Sequence, residues 1–304
     1  MSKPSISILI STFNWPCYQL ASQLEEQIQK ANYKIDIIVG EDASTSSVVL
    51  NENKKIQRLP HCQYILFTKN NGRAKIRNKL AKYAQGDYLL FIDSDALVIS
   101  PFFLNQYIHC IPRHNVVYGG IKTLPICNEK GNRTLRLSYE KAAEKIRNLS
   151  FRRKHPYSYI SAFNILIKKE LFMQNQFNEE CSTYGYEDAL LGIELKIKKE
   201  KIYHIDNPLL HTGIDTNEKY LKKIEQSLET LYKIGEPMQS FSDICRLYRF
   251  LHKIGIDQLL SKLFVRVFKK IFIKNLLSTT PSLLILKLYK LGFYCQLCTH
   301  GTKD

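Results

Sequence analysis

The chain has 304 residues, enough to bury a substantial hydrophobic core in one large domain or two modest ones. Hydrophobic residues make up 44% of it and charged residues 24%, a balance that excludes wholesale disorder. The formal net charge of +16 predicts an anionic partner: nucleic acid, an acidic membrane surface or a phosphate-bearing substrate.

The apolar segments predict neither an export signal nor a membrane crossing. The first apolar run, residues 5–12, has the length of a strand, and no window holds about 18 uninterrupted apolar residues. The eight cysteines are scattered, which is typical of reduced thiols in a cytoplasm. We therefore expect a cytoplasmic protein.

Strand and helix patterns alternate over the first three quarters of the chain. Strands are predicted at residues 5–12, 35–40, 63–68, 87–93, 115–121, 159–169 and 201–205. Helices are predicted at residues 18–31, 73–84, 101–109, 184–200 and 216–234. This alternation predicts βαβ units and an α/β fold with a largely parallel sheet. Residues 128–158 are polar and basic, and they predict an inserted loop region around one helical stretch.

The composition changes after residues 235–237. From residue 244 to residue 294 the chain combines large apolar residues with many lysines and arginines, and Asp257 is the one acidic residue. We therefore predict an α/β domain over residues 1–237 and a basic, amphipathic helical region over 238–304. Helices of this kind are expected to lie on an anionic membrane surface, the alternative being a soluble cap whose lysines face solvent.

The segment "FIDSDALV", residues 91–98, ends a predicted buried strand with two carboxylates. Side chains two positions apart on a strand point the same way, so Asp93 and Asp95 share a face. Two such oxygen donors suit Mg²⁺ or Mn²⁺ held against a phosphate. An aspartate nucleophile of a phosphatase and a simple N-cap are the alternatives.

Polar residues also follow the first two strands. In a doubly wound sheet, ligands bind at the carboxyl ends of the strands, near the point where the strand order reverses. We therefore expect one crevice to be lined by the residues that end these strands, together with Asp93 and Asp95: Ser11, Phe13, Asn14, Glu41 and Asp42.

Two later segments carry further candidates. In "YGYEDALLG", Glu187 and Asp188 begin a predicted helix behind Gly185, where acids also complement the helix dipole without any other role. In "NPLLHTG", His211 offers an imidazole that suits a metal ion or a purely structural hydrogen bond.

Together these segments resemble a family 2 glycosyltransferase of the GT-A fold, over about residues 4–235. The segment "NNGRAKIRNKLAKYAQGDYLLFIDSDA" matches the long block of that family nearly throughout. "SILISTFN" resembles its opening strand, and "IIVGEDASTS" resembles its Val-Asp-Asp-Gly-Ser-Thr turn with Glu41 for the first Asp and Ala43 for the Gly. "YGYEDALLGIEL" resembles a later motif of galactosyltransferases and chondroitin-type polymerases.

The resemblance implies a nucleotide-sugar donor, with a UDP-sugar expected. The uracil N3–H would donate to Asp42, while Ser11 and Phe13 would flank the base. Asp93 would touch the ribose or the water shell of the metal. The donor-binding residues implied are Ser11, Phe13, Asn14, Asp42, Arg73 and Asp93. For Arg77, a place near the nucleotide and a salt bridge within the fold both remain open.

The resemblance also implies a mechanism. Asp95 and His211 would hold Mn²⁺ or Mg²⁺ against the departing diphosphate. Asp188 would be the general base that takes the proton of an acceptor hydroxyl, and Glu187 and Tyr186 would hold that acceptor. A direct displacement inverts the anomeric centre. The expected acceptor is a glycan or lipid-linked glycan of cell-surface polysaccharide biosynthesis, reached peripherally at the inner face of the plasma membrane.

Two other classes of protein share single features with this sequence. A haloacid-dehalogenase-type phosphatase carries a motif like "FIDSDALV", but on its first strand, whereas three predicted strands precede it here. A basic membrane-binding or nucleic-acid-binding protein would explain the charge alone. Because no zinc-finger or RNA-recognition motif is present, we expect no nucleic-acid partner.

Overall fold

Ten strands and fourteen α-helices are found in the computed structural model, which describes residues 3–111, 113–125, 131–181, 184–236 and 238–301. The strands are β1 (Ile6–Thr12), β2 (Ile35–Asp42), β3 (Cys62–Phe67), β4 (Tyr88–Asp93), β5 (Ala96–Leu97), β6 (Val116–Tyr118), β7 (Ile121–Thr123), β8 (Asn164–Lys168), β9 (Ile202–His204) and β10 (Leu209–His211).

The first nine helices are α1 (Tyr18–Lys30), α2 (Ser47–Lys54), α3 (Arg73–Tyr83), α4 (Phe103–Cys110), α5 (Thr134–Ile146), α6 (Leu149–Lys154), α7 (Lys169–Met173), α8 (Glu187–Ile197) and α9 (Asn217–Ile234). Five follow: α10 (Met238–Phe241), α11 (Asp243–Lys253), α12 (Asp257–Leu263), α13 (Lys269–Leu276) and α14 (Leu283–His300). A 3₁₀ turn at Lys55–Arg58 extends α2, and a π-helical turn at Phe264–Phe268 joins α12 to α13.

Seven strands form one sheet in the order β3-β2-β1-β4-β8-β6-β9. The first four of these are mutually parallel, β8 runs antiparallel to both of its neighbours, and β9 is parallel to β6. The chain moves outward from β1 to β3 and then returns to place β4 on the other side of β1, so the strand order reverses there. The predicted α/β fold with a largely parallel sheet is confirmed.

Both faces of this sheet are buried, which explains the nearly continuous apolar runs of its strands. Alternate residues of each strand supply the two cores: Ile8 and Ile10 lie on the face with α1 and α4, and Leu9 lies on the face with α3 and α7. The strands are thereby fixed in register, because a slip by one residue would exchange the two faces.

The predicted strand at 115–121 is two strands in two sheets. Gly119 and Gly120 separate β6 from β7, because a Cβ atom on Gly119 would lie 2.4 Å from the Tyr107 hydroxyl and Gly120 has a φ of +100°. The second strand, β7, joins β10 and β5 in a three-stranded sheet of order β5-β10-β7.

The prediction of an irregular insertion at residues 128–158 is wrong, because α5 and α6 occupy most of the described part of this segment. Asn148 begins α6 by accepting a hydrogen bond from the Phe151 backbone N–H, 3.0 Å away, which is the usual action of an N-cap. The predicted helical stretch within the segment is present.

The chain divides into two compact units. The first consists of Met1–Leu124, Glu144–Ser182 and Glu187–Gly213, and the second of Pro125–Ala143, Thr183–Tyr186 and Ile214–Asp304. We refer to them as the sheet unit and the helical unit. The predicted boundary near 237 stays a prediction; in this division α9 groups with the helices that follow it.

The helical unit is organised around α14, which packs against α9, α12 and α13. Gly292 of α14 allows Phe264 to approach, because an added Cβ atom there would lie 2.3 Å from the Phe264 ring. The Phe264 side chain is buried there against Tyr289, at a centroid distance of 5.3 Å. None of the helices in the described ranges combines the length and the apolar composition needed to cross a membrane.

Candidate active site

The carboxyl ends of β1, β2 and β4 lie side by side in the sheet unit. Ser11 is paired in register with Gly40 on one side and with Asp93 on the other, and Thr12 is paired with Glu41. Parallel pairing therefore brings the three sequence segments of the predicted crevice to one edge of the sheet, as the strand-end rule requires.

Asp42 ends β2 and fixes the loop that precedes α3. Its buried carboxylate accepts hydrogen bonds from the backbone N–H groups of Asn71 and Gly72, at 2.9 and 3.0 Å, and from the side-chain amide of Asn71 at 2.7 Å. Gly72 has a φ of +77°, which favours glycine at the turn into the helix. Arg73, the first residue of α3, is thereby held at the same edge of the sheet, and its side chain is partly buried.

Asn14 joins the loop after β1 to the loop after β2. Its side-chain Oδ1 accepts from the backbone N–H groups of Thr45 and Ser46, at 2.8 and 3.0 Å. Asn14 and Ala43 have φ values of +51° and +59°, in the left-handed region. The neighbouring Phe13 side chain is 49% exposed, so its ring is available at this edge.

Glu41 is the centre of a buried hydrogen-bond network that the sequence did not reveal. Its carboxylate accepts from the Asn53 side-chain amide at 2.9 Å, from the Tyr64 hydroxyl at 2.8 Å and from the Ser44 hydroxyl. Burial of the Tyr64 hydroxyl raises the pKa of Tyr64, and the hydrogen-bonded carboxylate of Glu41 raises it further. Glu41 therefore ties β2 to β3 and to the following loop.

Arg77 lies on α3 and connects two acidic motifs. Its guanidinium Nη2 donates to Asp93 Oδ1 at 2.5 Å, and its Nη1 donates to Glu187 Oε1 at 3.0 Å. Arg77 is only 3% exposed, and Glu187 is equally buried. The salt-bridge interpretation of Arg77 is the one that this geometry supports.

Asp188 stands beside this ion pair at the start of α8. Its carboxylate accepts from the Ser161 hydroxyl at 2.8 Å and from the Ala162 backbone N–H at 3.1 Å. Burial and the negative charges of Glu187 and Asp93 raise the pKa of Asp188 to about 7, while Arg77 and the Ser161 hydrogen bond oppose that rise. A carboxylate with such a pKa is suited to accept and release a proton near neutral pH.

Asp95 and His211 come together through the small sheet. The antiparallel pair β5–β10 places His211 opposite Ala96, and His211 Nε2 lies 3.1 Å from Asp95 Oδ2. The Thr212 backbone N–H and hydroxyl both donate to the Asp95 carbonyl, at 2.9 and 2.8 Å. Gly213 allows the approach, because a Cβ atom there would lie 2.1 Å from Asp95 Oδ2.

This pair of donors fits one divalent cation. The 3.1 Å between His211 Nε2 and Asp95 Oδ2 is a hydrogen-bond distance, and two neighbouring ligands of an octahedral Mg²⁺ stand about as far apart. Among the residues that the structure describes, no group of three His, Cys, Asp or Glu side chains could hold a metal by itself. Such a pair leaves several coordination positions for water and substrate phosphate, as Mg²⁺ and Mn²⁺ sites usually do.

Tyr186 belongs to the helical unit, unlike the other ten predicted site residues, which belong to the sheet unit. It has a φ of +71° and follows Gly185 with a φ of +96°, so two successive residues have left-handed backbone conformations. Burial raises the pKa of the Tyr186 hydroxyl. This backbone turn leads directly into the helix that begins with Glu187 and Asp188.

The fold is that of the GT-A glycosyltransferases. The sequence pattern described as "Glycosyl transferase family 2" matches residues 7–175. The match spans more than half of the chain, and the protein belongs to that family.

Relatives of known sequence agree with this assignment. An uncharacterized glycosyltransferase of Haemophilus influenzae is 28% identical over 132 residues, which is 43% of this chain and 52% of that protein. A putative teichuronic acid biosynthesis glycosyltransferase of Bacillus subtilis, TuaG, is 30% identical over 95 residues, which is 31% of this chain and 36% of that protein. The chain thus spans about half or less of the length of these two relatives.

A solved structure shows the same fold. The mannosyltransferase PcManGT from Pyrobaculum calidifontis, in complex with GDP-Man and Mn²⁺, superposes with a TM-score of 0.57 over 98% of this chain and 86% of its own. The two sequences are 14% identical, so the likeness concerns the fold.

Proposed function

We propose that this glycosyltransferase moves a sugar from a UDP-sugar to a hydroxyl of a glycan or lipid-linked glycan, with inversion of the anomeric centre. The observation that carries the proposal is the position of Asp188, a proton acceptor beside the buried pair of Arg77 and Glu187. In the proposed reaction Asp188 takes the proton of the acceptor hydroxyl. The acceptor oxygen bonds to the anomeric carbon as the bond from that carbon to the diphosphate breaks, and the nucleoside diphosphate leaves.

The donor is assigned to the edge formed by β1, β2 and β4. Asp42, Arg73 and Asp93 supply polar groups at that edge, and the exposed ring of Phe13 offers a surface against which a nucleobase can stack. Ser11 and Asn14 complete the proposed set. Asp42 already accepts three N–H bonds, so its role toward uracil would use the remaining lone pairs of the carboxylate.

Asp95 and His211 are the proposed ligands of Mn²⁺ or Mg²⁺. When bound, the cation supplies a positive charge that stabilises the departing diphosphate. The Mn²⁺ and GDP-Man in the PcManGT complex support a metal-assisted nucleotide-sugar reaction for this fold. Glu187 and Tyr186 are the proposed contacts of the acceptor, and the name of TuaG supports a place in cell-surface polysaccharide biosynthesis.

Donor turnover tests this assignment directly. The full chain is incubated with a panel of UDP- and GDP-sugars and Mn²⁺, and nucleotide release is measured with and without EDTA. We expect turnover with one UDP-sugar, its loss in EDTA and its return with added Mn²⁺ or Mg²⁺. Asp95→Ala is expected to be nearly inactive, while Glu52→Gln, which changes a surface acid on α2, is expected to match the wild type.

Three outcomes would contradict parts of the assignment. Full turnover in EDTA contradicts the metal, and an unchanged metal titration in His211→Ala contradicts His211 as a ligand. A product that retains the anomeric configuration contradicts direct displacement.

We also propose that the helical unit rests on an anionic membrane surface at the inner face of the plasma membrane. A row of exposed apolar side chains follows the outer side of the helical stretch 257–276: Leu259, Leu263, Val267 and Ile271. These residues recur every fourth position and so lie on one helical stripe. Phe264 and Leu276 lie on the buried side of the same stretch.

Cationic side chains border this stripe. Lys262, Arg266 and Lys270 are exposed beside it, and their alkyl stems allow the charges to reach lipid headgroups. Each such cation contributes on the order of 1 kcal/mol near an anionic surface. Apolar anchors with a cationic border are the features of an interfacial helix.

Liposome flotation tests the membrane proposal on the full chain. We expect the wild type to float with vesicles that contain anionic lipid and not with neutral vesicles. The double variant Val267→Asp, Ile271→Asp should stop floating, while Val48→Asp, at a still more exposed apolar position in the sheet unit, should float normally. If the double variant floats as well as Val48→Asp does, the stripe is not the membrane contact.

A further inference from the structure

Arg77 meets one carboxylate from each of the two acidic motifs at the proposed site. Asp93 ends β4 on the proposed donor side, and Glu187 begins α8 on the proposed acceptor side. The two arms of one guanidinium reach them at 2.5 and 3.0 Å. The guanidinium of Arg77 also lies over the Phe177 ring, with its central carbon 5.5 Å from the ring centroid, a cation–π contact.

The charge around Arg77 is unbalanced. Three carboxylates, those of Asp93, Glu187 and Asp188, act on one guanidinium, and each of them contributes to the raised pKa of Arg77. Breaking a buried ion pair by removing one partner is costly, because the other charge stays behind without compensation. Arg77 is therefore the group that makes this concentration of negative charge compatible with folding.

A lysine would not reproduce this arrangement. The guanidinium is a planar fork with donors in fixed directions, whereas an ammonium is a point charge on a flexible stem. With two arms in use, the fork sets both the distance and the relative orientation of Asp93 and Glu187. It therefore transmits the position of β4 to the first turn of α8.

We propose that Arg77 is the positioning residue that holds the donor-side carboxylate of Asp93 and the acceptor-side carboxylate of Glu187 in fixed register and keeps the adjacent Asp188 able to act as the base. This inference rests on the proposed function for the roles of the two sides. The fixed relative position of these two carboxylates is a property of the fold, and it can be tested without measuring turnover.

The positive charge of Arg77 and the forked geometry of its guanidinium can be tested separately with different variants. Arg77→Lys keeps the charge and loses the fork, so geometry should suffer more than protonation. Arg77→Met loses both. Glu187→Gln removes a neighbouring negative charge, so it should change the protonation of Asp188 in the direction opposite to Arg77→Met.

The protonation of Asp188 is read from the carboxyl ¹³C resonance of aspartate-labelled full-length protein, assigned by its absence in Asp188→Asn. The charged and titratable groups that act on Asp188 are Arg77, Glu187, Asp93, Tyr118 and Cys181. We expect the midpoint to rise by one pH unit or more in Arg77→Met, to fall in Glu187→Gln, and to stay near the wild-type value in Arg77→Lys. UDP affinity, measured by calorimetry, should fall several-fold in Arg77→Lys.

Arg77→Met leaves the carboxylates of Asp93 and Glu187 without their cation and can fail to fold. The double variant Arg77→Met, Glu187→Gln removes one charge of each sign and serves as the folded replacement, with a midpoint expected close to that of the wild type. An unchanged midpoint in both Arg77→Met and Glu187→Gln, or wild-type UDP affinity and transfer in Arg77→Lys, would overturn the proposal.

The proposed function and the role of Arg77 can fail separately. A wild type that transfers no sugar from any donor of the panel, with midpoints that move as described, would refute the function and support the register. A wild type that transfers sugar, with Arg77→Lys equally active, would refute the positioning role alone.

Discussion

Asp188 in the sheet unit and Asp215 in the helical unit are two enclosed carboxylates with opposite electrostatic surroundings. Asp188 has two further carboxylates and one guanidinium as its charged neighbours on α3, β4 and α8, and its pKa is raised. Asp215 meets three cations: Arg136, Lys223 at 2.6 Å and Lys219 at 3.2 Å. Burial would raise the pKa of Asp215, but these cations, Lys223 foremost, outweigh burial and lower it.

The difference separates a chemical role from a structural one. A carboxylate surrounded by cations stays ionised and works as a fixed ion pair, which joins α5 to α9 in the helical unit. A carboxylate near other carboxylates gains or loses its proton close to neutral pH, a property that catalysis uses and that stability does not need.

Asp188→Asn is expected to cut sugar transfer by roughly 10²–10⁴-fold, the usual contribution of a general base, with UDP binding intact. Because the substitution removes a charge that the fold disfavours, the melting temperature at pH 8 should not fall. Transfer assays, calorimetry and thermal unfolding measure the three quantities. Lost donor affinity with normal turnover would place Asp188 among the binding residues instead.

Asp215→Asn is expected to lower the free energy of unfolding by roughly 3 kcal/mol, because the largely buried cations of Arg136 and Lys223 lose the carboxylate that they share. The folded pKa of Asp215 is depressed, so its stabilisation is present above the unfolded pKa of about 4 and is lost as the pH falls through the lower, folded value. Urea unfolding at pH 7 measures the loss. Lys219→Ala removes the most exposed partner and should cost less than about 1 kcal/mol; an equal cost for the two variants would contradict the buried ion-pair role.

The rate of transfer is expected to rise with pH through about 7 and then to level off. The base must be ionised to accept a proton, and the pKa of Asp188 is raised to about 7, so the rate should fall about tenfold for each unit below that value. A pH profile of kcat/KM measures this limb. A limb near pH 4 would show that Asp188 has the pKa of an ordinary exposed aspartate.

Ser161→Ala is the smallest expected change. The hydroxyl of Ser161 donates to Asp188 Oδ2 at 2.8 Å and lowers the pKa of that carboxyl, so its removal should move the acid limb to higher pH by less than about one unit. At pH 8 the rate should be close to that of the wild type. An acid limb that moves to lower pH would contradict the direction of this hydrogen bond.

Much of the fold could be predicted from the sequence because β1, β2 and β4 are buried on both faces and read as apolar runs of strand length. The residues that end those strands could be assigned to one crevice from the sequence, because parallel strands end at the same edge of the sheet. The division of residues 116–123 into two strands could not be predicted, because the close approach that requires glycine at position 119 involves Tyr107 on another element.

The roles of Ser161 and Arg77 were hidden for a related reason. Ser161 lies within the predicted strand 159–169 but stands in the loop before β8 in the structure, and its partner is on α8. Arg77 lies in a segment with several basic residues, and only the packing of α3 distinguishes it as buried. The Glu41 network depends likewise on residues of three separate elements. Contacts between elements decide such roles, and a single sequence does not record them.

Gly213 limits which residues can evolve at positions 213 and 95. Any side chain at this position would place a Cβ atom 2.1 Å from Asp95 Oδ2, so the freedom to vary at 213 depends on what occupies 95. In descendants that keep Asp95, residues larger than glycine are disfavoured at position 213. In lineages that lose the carboxylate, the same position opens to larger residues, and reversion at 95 then becomes inaccessible until glycine returns. The residues that each of the two positions tolerates therefore depend on the other position.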